Sequence, residues 1–142
     1  MRRPLLILLL FSFPTSAAAS QQPAQEDQTL LDWSLLNAVE QGDLTRARIA
    51  LDRGADVNAV DLWHNSALHL AVRSNGDKVA AVRLLLDRKP KVDVREFYEM
   101  TPLMRAVGDR QPEIARLLLD SGANPNVRPK DSLPRSVFLP TA

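Results

Sequence analysis

His64 and His69 are the only imidazoles in the chain and stand five residues apart. A pair of histidines raises two possible chemistries, metal ligation and proton transfer. Neither finds the groups it needs. The chain has no cysteine, and no regularly spaced carboxylate near the pair completes a ligand set. G-x-S-x-G, the P-loop and H-E-x-x-H are all absent, so the usual nucleophile, phosphate and metal signatures are missing as well. Catalysis is not expected, and no cofactor is implied. What remains is recognition, which turns on which side chains are held away from the core and by what.

Composition bounds the elements that could hold them. With 142 residues, 45% hydrophobic and 25% charged, the chain reads as one small globular domain plus ends that must be trimmed. Without cysteine its stability has to come from packing. At the start, Arg2 and Arg3 precede the apolar run Leu5 to Phe13, Pro14 breaks it, and Ala17, Ala18 and Ala19 offer a signal peptidase small residues. Residues 1–19 are expected to be a secretory signal peptide. The run is well short of the roughly 20 residues of a bilayer span, which disfavours a membrane anchor. The paired arginines are a weak hint of twin-arginine export. Cleavage after Ala19 would remove Arg2 and Arg3 and leave 16 basic against 17 acidic residues. A chain so close to neutral, with its signs interspersed, has no electrostatic footprint for nucleic acid or anionic lipid. The expectation is an exported protein, periplasmic or else extracellular, with a monomeric mature chain that has no membrane span. Residues 20–30, opening SQQPAQEDQ, read as a flexible linker.

Two markers then recur. Ala38, Ala71 and Ala106 lie 33 and 35 residues apart, inside WSLLNAV, SALHLAV and TPLMRAV. LDRGADVN at 51–58, LDRKPKVD at 86–93 and LDSGANPN at 119–126 recur at 35 and 33. Both frames agree, and they place two extra residues in the middle unit, around Asn75, Gly76 and Asp77. Each unit reads as a helix, a loop, a second helix and an extended finger. Thr101 can cap a first helix, with Pro102 at the position where a missing N–H costs nothing. Ile114, Leu117 and Leu118 form the apolar stripe of a second helix, which Gly122 can end in a left-handed conformation, as Gly54 can in the first unit. Asp56, Asn58, Asn124 and Asn126 suit tight turns. A helix pair of this size cannot bury its apolar face alone, so the units must stack.

On these residues the chain resembles an ankyrin-repeat protein. The Thr-Pro-Leu-His motif is matched by Ser66-Ala67-Leu68-His69 and Thr101-Pro102-Leu103-Met104, and Gly-Ala-Asp-x-Asn by Gly54 to Asn58 and Gly122 to Asn126. The resemblance runs from about Leu31 to Arg128. It implies an all-α repeat fold, a solenoid of about three helix-turn-helix repeats (about 31–60, 61–95 and 96–128, within a domain at 31–130) with short β-hairpin fingers. His69 then takes the place of the family's helix-start histidine, which hydrogen-bonds locally, and His64 the place of a turn glycine. The middle unit departs from the pattern with Lys89-Pro90-Lys91 where Gly-Ala-Asp is expected, which puts backbone strain at Lys89. Trp33-Ser34 replaces Thr-Pro in the first unit, which has no preceding finger and resembles an N-terminal cap. Residues 131–142, with Val137, Phe138 and Leu139, are expected to be a tail, and a candidate cap over the last helix pair.

Such stacks bind other proteins through a concave surface of fingertips and inner helices. The fingertip before the second unit carries Val60, Asp61, Leu62, Trp63 and Asn65, and that before the third carries Arg95, Glu96, Phe97, Tyr98 and Met100. Leu62 aligns with Phe97 and Trp63 with Tyr98, so apolar or aromatic side chains recur where the core does not require them. Glu40, Arg73, Ser74 and Asp109 are expected along the groove floor. The expected function is non-catalytic binding of a protein partner, with Trp63 and Tyr98 as anchors. The alternative is a periplasmic immunity or inhibitor protein that neutralises a toxin or enzyme.

Overall fold

The computed structural model describes residues 23–128. Six helices follow in order: α1 Pro23–Gln41, α2 Leu44–Asp52, α3 Ala67–Arg73, α4 Lys78–Leu86, α5 Pro102–Gly108 and α6 Pro112–Asp120. They pair as α1 with α2, α3 with α4 and α5 with α6. The first helices of each pair pack in one row and the second helices in another. The result is an all-α solenoid of stacked helix pairs.

Local chemistry sets the helix starts. The Asp43 carboxylate accepts from the Arg46 N–H at 3.0 Å, the Asp77 carboxylate from the Ala80 N–H at 3.0 Å and the Thr101 hydroxyl from the Met104 N–H at 3.3 Å. Each satisfies a donor that a helix start otherwise leaves open, worth about 1 kcal/mol. The starts at Asp43, Asp77 and Gln111 are evenly spaced. This divides the two extra residues of the middle unit: one falls in the loop before Asp77, the other between Asp77 and Lys89.

Small residues let the rows close. Ala38, Ala71 and Ala106 are all buried where first helices cross, between Leu35, Leu68 and Leu103. The loops close as tightly. A Cβ built on Gly42, whose φ is +77°, would lie 2.5 Å from the Gly76 backbone, so only glycine fits where the first two units meet.

Three side chains repeat one bond along the finger bases. Asn58 Oδ1 accepts from the Lys91 N–H at 2.7 Å, and Asp93 Oδ1 from the Asn124 N–H at 3.0 Å, each joining one unit to the next. In the first unit, before which no finger stands among the described residues, Asp32 on α1 accepts from the Asp56 N–H at 2.7 Å. Asp32 thereby makes the bond that a preceding finger makes in the other two units.

Two expectations are corrected. Helix α1 starts at Pro23, inside the stretch 20–30 read as a flexible linker. Pro23 suits a first helical position, the following Ala, Gln and Glu are good helix formers, and Gln28 donates to the Gly54 carbonyl at 3.1 Å. The fingers are turns rather than β-hairpins: among the described residues there is only an isolated antiparallel bridge, Val60 with Ser66. Their five-residue closures, Asp61 N–H to the Asn65 carbonyl and Glu96 N–H to the Met100 carbonyl, leave no length for a ladder. The signal peptide at 1–19 and the tail at 131–142 lie outside the described residues. Among those residues no helix is long and apolar enough to cross a membrane.

Candidate partner-binding groove

Finger one is shaped by Asp61. Its carboxylate accepts from the Trp63 N–H at 2.9 Å, the Asn65 N–H at 2.8 Å and Asn65 Nδ2 at 2.9 Å, which ties the turn to itself. His64 closes that turn at φ 66°, a conformation that favours glycine, and its side chain is exposed. With the backbone so held, Leu62 and Trp63 are carried outward: Leu62 is 98% exposed and Trp63 64%. Finger two repeats the design with Glu99 at φ 60°, and Phe97 and Tyr98 are exposed in turn. The rings of Phe97 and Tyr98 meet edge to face at 5.4 Å. The Phe97 N–H donates to the Trp63 carbonyl at 3.0 Å, which joins the two tips.

The fingers stand over α1, α3 and α5, and between them lies a groove of about 1070 Å³. Of the residues expected to meet a partner, it brings together Leu62, Trp63, Asn65, Arg73 and Tyr98, with Glu40 beside them. Asn65 lies in its floor and is only 4% exposed, its N–H and Nδ2 both turned to the Asp61 carboxylate.

The other five are placed elsewhere. Ser74 is 2% exposed at the end of α3, which leaves it no surface for a partner. Asp109 follows α5 on an exposed corner away from the groove, where its N–H bonds the Arg105 carbonyl. Arg95 pairs with Glu99 at 2.9 Å. The Met100 carbonyl accepts from His69 Nε2 at 2.9 Å, which draws Met100 inward. Phe97 is exposed beside the groove rather than in its wall.

The repeat frame held a signal that this assignment of side chains missed. Asn37, Leu70 and Arg105 each stand one residue before the small alanine of their helix, and all three line the groove. Trp33 also lines it, 64% exposed. Its counterparts Ser66 and Thr101 are buried caps. Because α1 runs on through this position instead of starting there, the side chain is free to face the fingers.

Two polar pairs lie beneath. Glu96 is buried and pairs with the Arg105 guanidinium, which fastens finger two to α5. His69 is fully buried. The Met100 carbonyl can only accept, so Nε2 carries the proton, and Nδ1 accepts from the Ser66 N–H at 3.2 Å. Burial lowers the His69 pKa below 6.5, against the opposing pull of the Met100 bond and of Glu96. A neutral ring fastened at both nitrogens is a structural strut between units two and three. Among the described residues, no three of His, Asp and Glu converge as metal ligands.

The model of the family described as "Ankyrin repeats (3 copies)" matches residues 35–129. The chain belongs to the ankyrin-repeat family. Its repeats are of a kind that serves generally as a protein–protein interaction module and not as a catalytic one. Among curated proteins it is 29% identical over 118 residues to serine/threonine-protein kinase 12 of Arabidopsis thaliana, covering 82% of this chain and 25% of the kinase. It is 38% identical over 93 residues to the 2-5A-dependent ribonuclease of Mus musculus, covering 65% of this chain and 12% of that protein. It is 41% identical over 73 residues to human ankyrin repeat and KH domain-containing protein 1, covering 51% and 3%. The ankyrin-repeat chain thus spans a quarter or less of these relatives.

Proposed function

We propose that this protein is an exported ankyrin-repeat module that binds one partner protein in the groove between its fingers and its first helices. One observation carries the reading: Leu62, Trp63, Phe97 and Tyr98 stand exposed side by side on two joined fingers, although no packing of the stack needs them there. Contiguous exposed apolar groups on a soluble domain mark interaction sites. Covering an aromatic ring removes about 150 to 250 Å² from water, and Trp and Tyr dominate the energetics of many interfaces. The mechanism is recognition by a preformed surface. The Asp61 turn, the Phe97–Trp63 backbone bond and the Glu96–Arg105 pair hold the anchors in place beforehand, so little ordering entropy is lost on binding. Export is supported by the charged, apolar and small-residue succession of residues 1–19.

The test is affinity capture from the exported fraction with the protein and with a Trp63→Ala, Tyr98→Ala double variant. Both side chains are exposed, so the variant should keep its fold, with stability within about 0.5 kcal/mol of the parent. It should lose the captured partner. Equal capture by both forms would discard the groove as the docking site.

A further inference from the structure

The groove is uneven in charge, and from this we infer that the segment it takes is basic, with a lysine or arginine lying across Trp33 and Trp63 and its cation toward Glu40. The inference rests on the reading of the groove as the docking site. Four carboxylates, Asp32, Glu40, Asp61 and Glu96, line the groove with two guanidiniums, Arg73 and Arg105. Arg105 is engaged by the buried Glu96. Among the described residues, three carboxylates then face one free cation, and the half of the groove nearer α1 is negative. Asp32 and Asp61 hold their positions by accepting from finger N–H groups. The Glu40 carboxylate, exposed on α1, makes no hydrogen bond or ion pair among the described residues.

A second observation points the same way. Both tryptophans of the chain line the same groove, and the indole face is the best aromatic surface for a cation. The alkyl stem of lysine or arginine can lie on those rings while its head stays among carboxylates. Arg73 would repel a second positive group set beyond the first, which fixes the cation on the α1 side.

Because both tryptophans line the groove, intrinsic emission reports on it alone. The probes are a capped hexapeptide of alternating lysine and leucine and its counterpart with glutamate in place of lysine, each titrated into the full chain at low salt. The lysine peptide is expected to shift the emission saturably. Its affinity should fall about threefold in Glu40→Gln and again as salt is raised, as for an exposed charge pair. The glutamate peptide should give no saturable change. Equal or tighter binding of the glutamate peptide, a lysine response that Glu40→Gln leaves untouched, or no response to either peptide would overturn the inference. If the Trp63, Tyr98 double variant loses its captured partner while the lysine peptide is silent, only the charge assignment falls. If capture is unchanged in that variant, the docking reading and this inference fall together.

Discussion

The second and third units are built on one pattern, yet the same place in the pattern has opposite surroundings. Val72 and Val107 each follow the small alanine of their first helix; Val72 is fully buried and Val107 is 62% exposed. Leu51 of the first unit is buried, and its counterpart Leu119 in the third is exposed. At the histidine position, His69 is enclosed and bonded to the next finger, whereas Met104 is only partly covered. A unit therefore does not bury these groups itself; the unit stacked after it does. Stability in such a stack is shared between units and the interfaces between them, and among the described residues the third unit has a neighbour on one side only.

The sharpest way to break this comparison is to put the same charge at both places. Val72→Asp would enclose a carboxylate with no partner, at a cost of more than about 3 kcal/mol, a large part of the 5–15 kcal/mol that stabilises an ordinary domain. Val107→Asp should change stability by less than about 0.5 kcal/mol. Urea unfolding followed by circular dichroism reads both. Similar losses in the two variants would mean that Val107 is covered and that the third unit is not an end.

A smaller effect separates His69 from Met104. The His69 pKa is lowered in the folded state, so between that value and 6.5 the unfolded chain binds more protons than the folded one. The stability it contributes is full above pH 6.5 and is lost as pH falls below it toward the folded-state value. The cause is burial, which disfavours the charged ring, and a protonated Nδ1 would also point a donor at the Ser66 N–H. A His69→Gln variant should be about 1 kcal/mol less stable at neutral pH. It should also show a shallower loss than the parent on acidification just below pH 6.5. Parallel pH profiles for parent and variant would remove His69 from the account.

The recurring parts of this fold could be read directly because they answer needs that every unit shares. Ala38, Ala71 and Ala106 sit where helices cross, Thr101 and Pro102 start a helix, and Gly54 and Gly122 end one. What differs between units was harder to see. The Pro23–Gln41 helix reaches back through polar residues that resemble a linker in composition, and it is anchored by Asp32 and Gln28, whose partners lie over 20 residues away. Ser74 and Asn65 looked like surface groups by type, but one is buried at a helix end and the other holds a turn. The aromatic row on the fingers was legible because it repeats. The groove's other wall was not, because Asn37, Leu70 and Arg105 share a position and not a chemistry, and only the stacked backbone shows that the position faces inward.

The finest distinction lies at the ends of the second helices. Gly54 and Gly122 adopt φ of +104° and +95°, while the middle unit has Lys89 at φ 51°. A side chain in the left-handed region costs about 1 kcal/mol, so Lys89→Gly should relieve strain that the flanking units do not carry. Part of that gain is offset by the greater freedom of glycine in the unfolded chain, and the net stabilisation should be about 0.5 kcal/mol. The reverse change is informative because Gly54 has open space around it. A Cβ there meets nothing within 4 Å, so Gly54→Ala tests backbone strain alone and should cost about 1 kcal/mol. Urea midpoints should move in opposite directions for the two variants. A destabilised Lys89→Gly would show that this side chain does something for the middle unit that glycine does for neither neighbour.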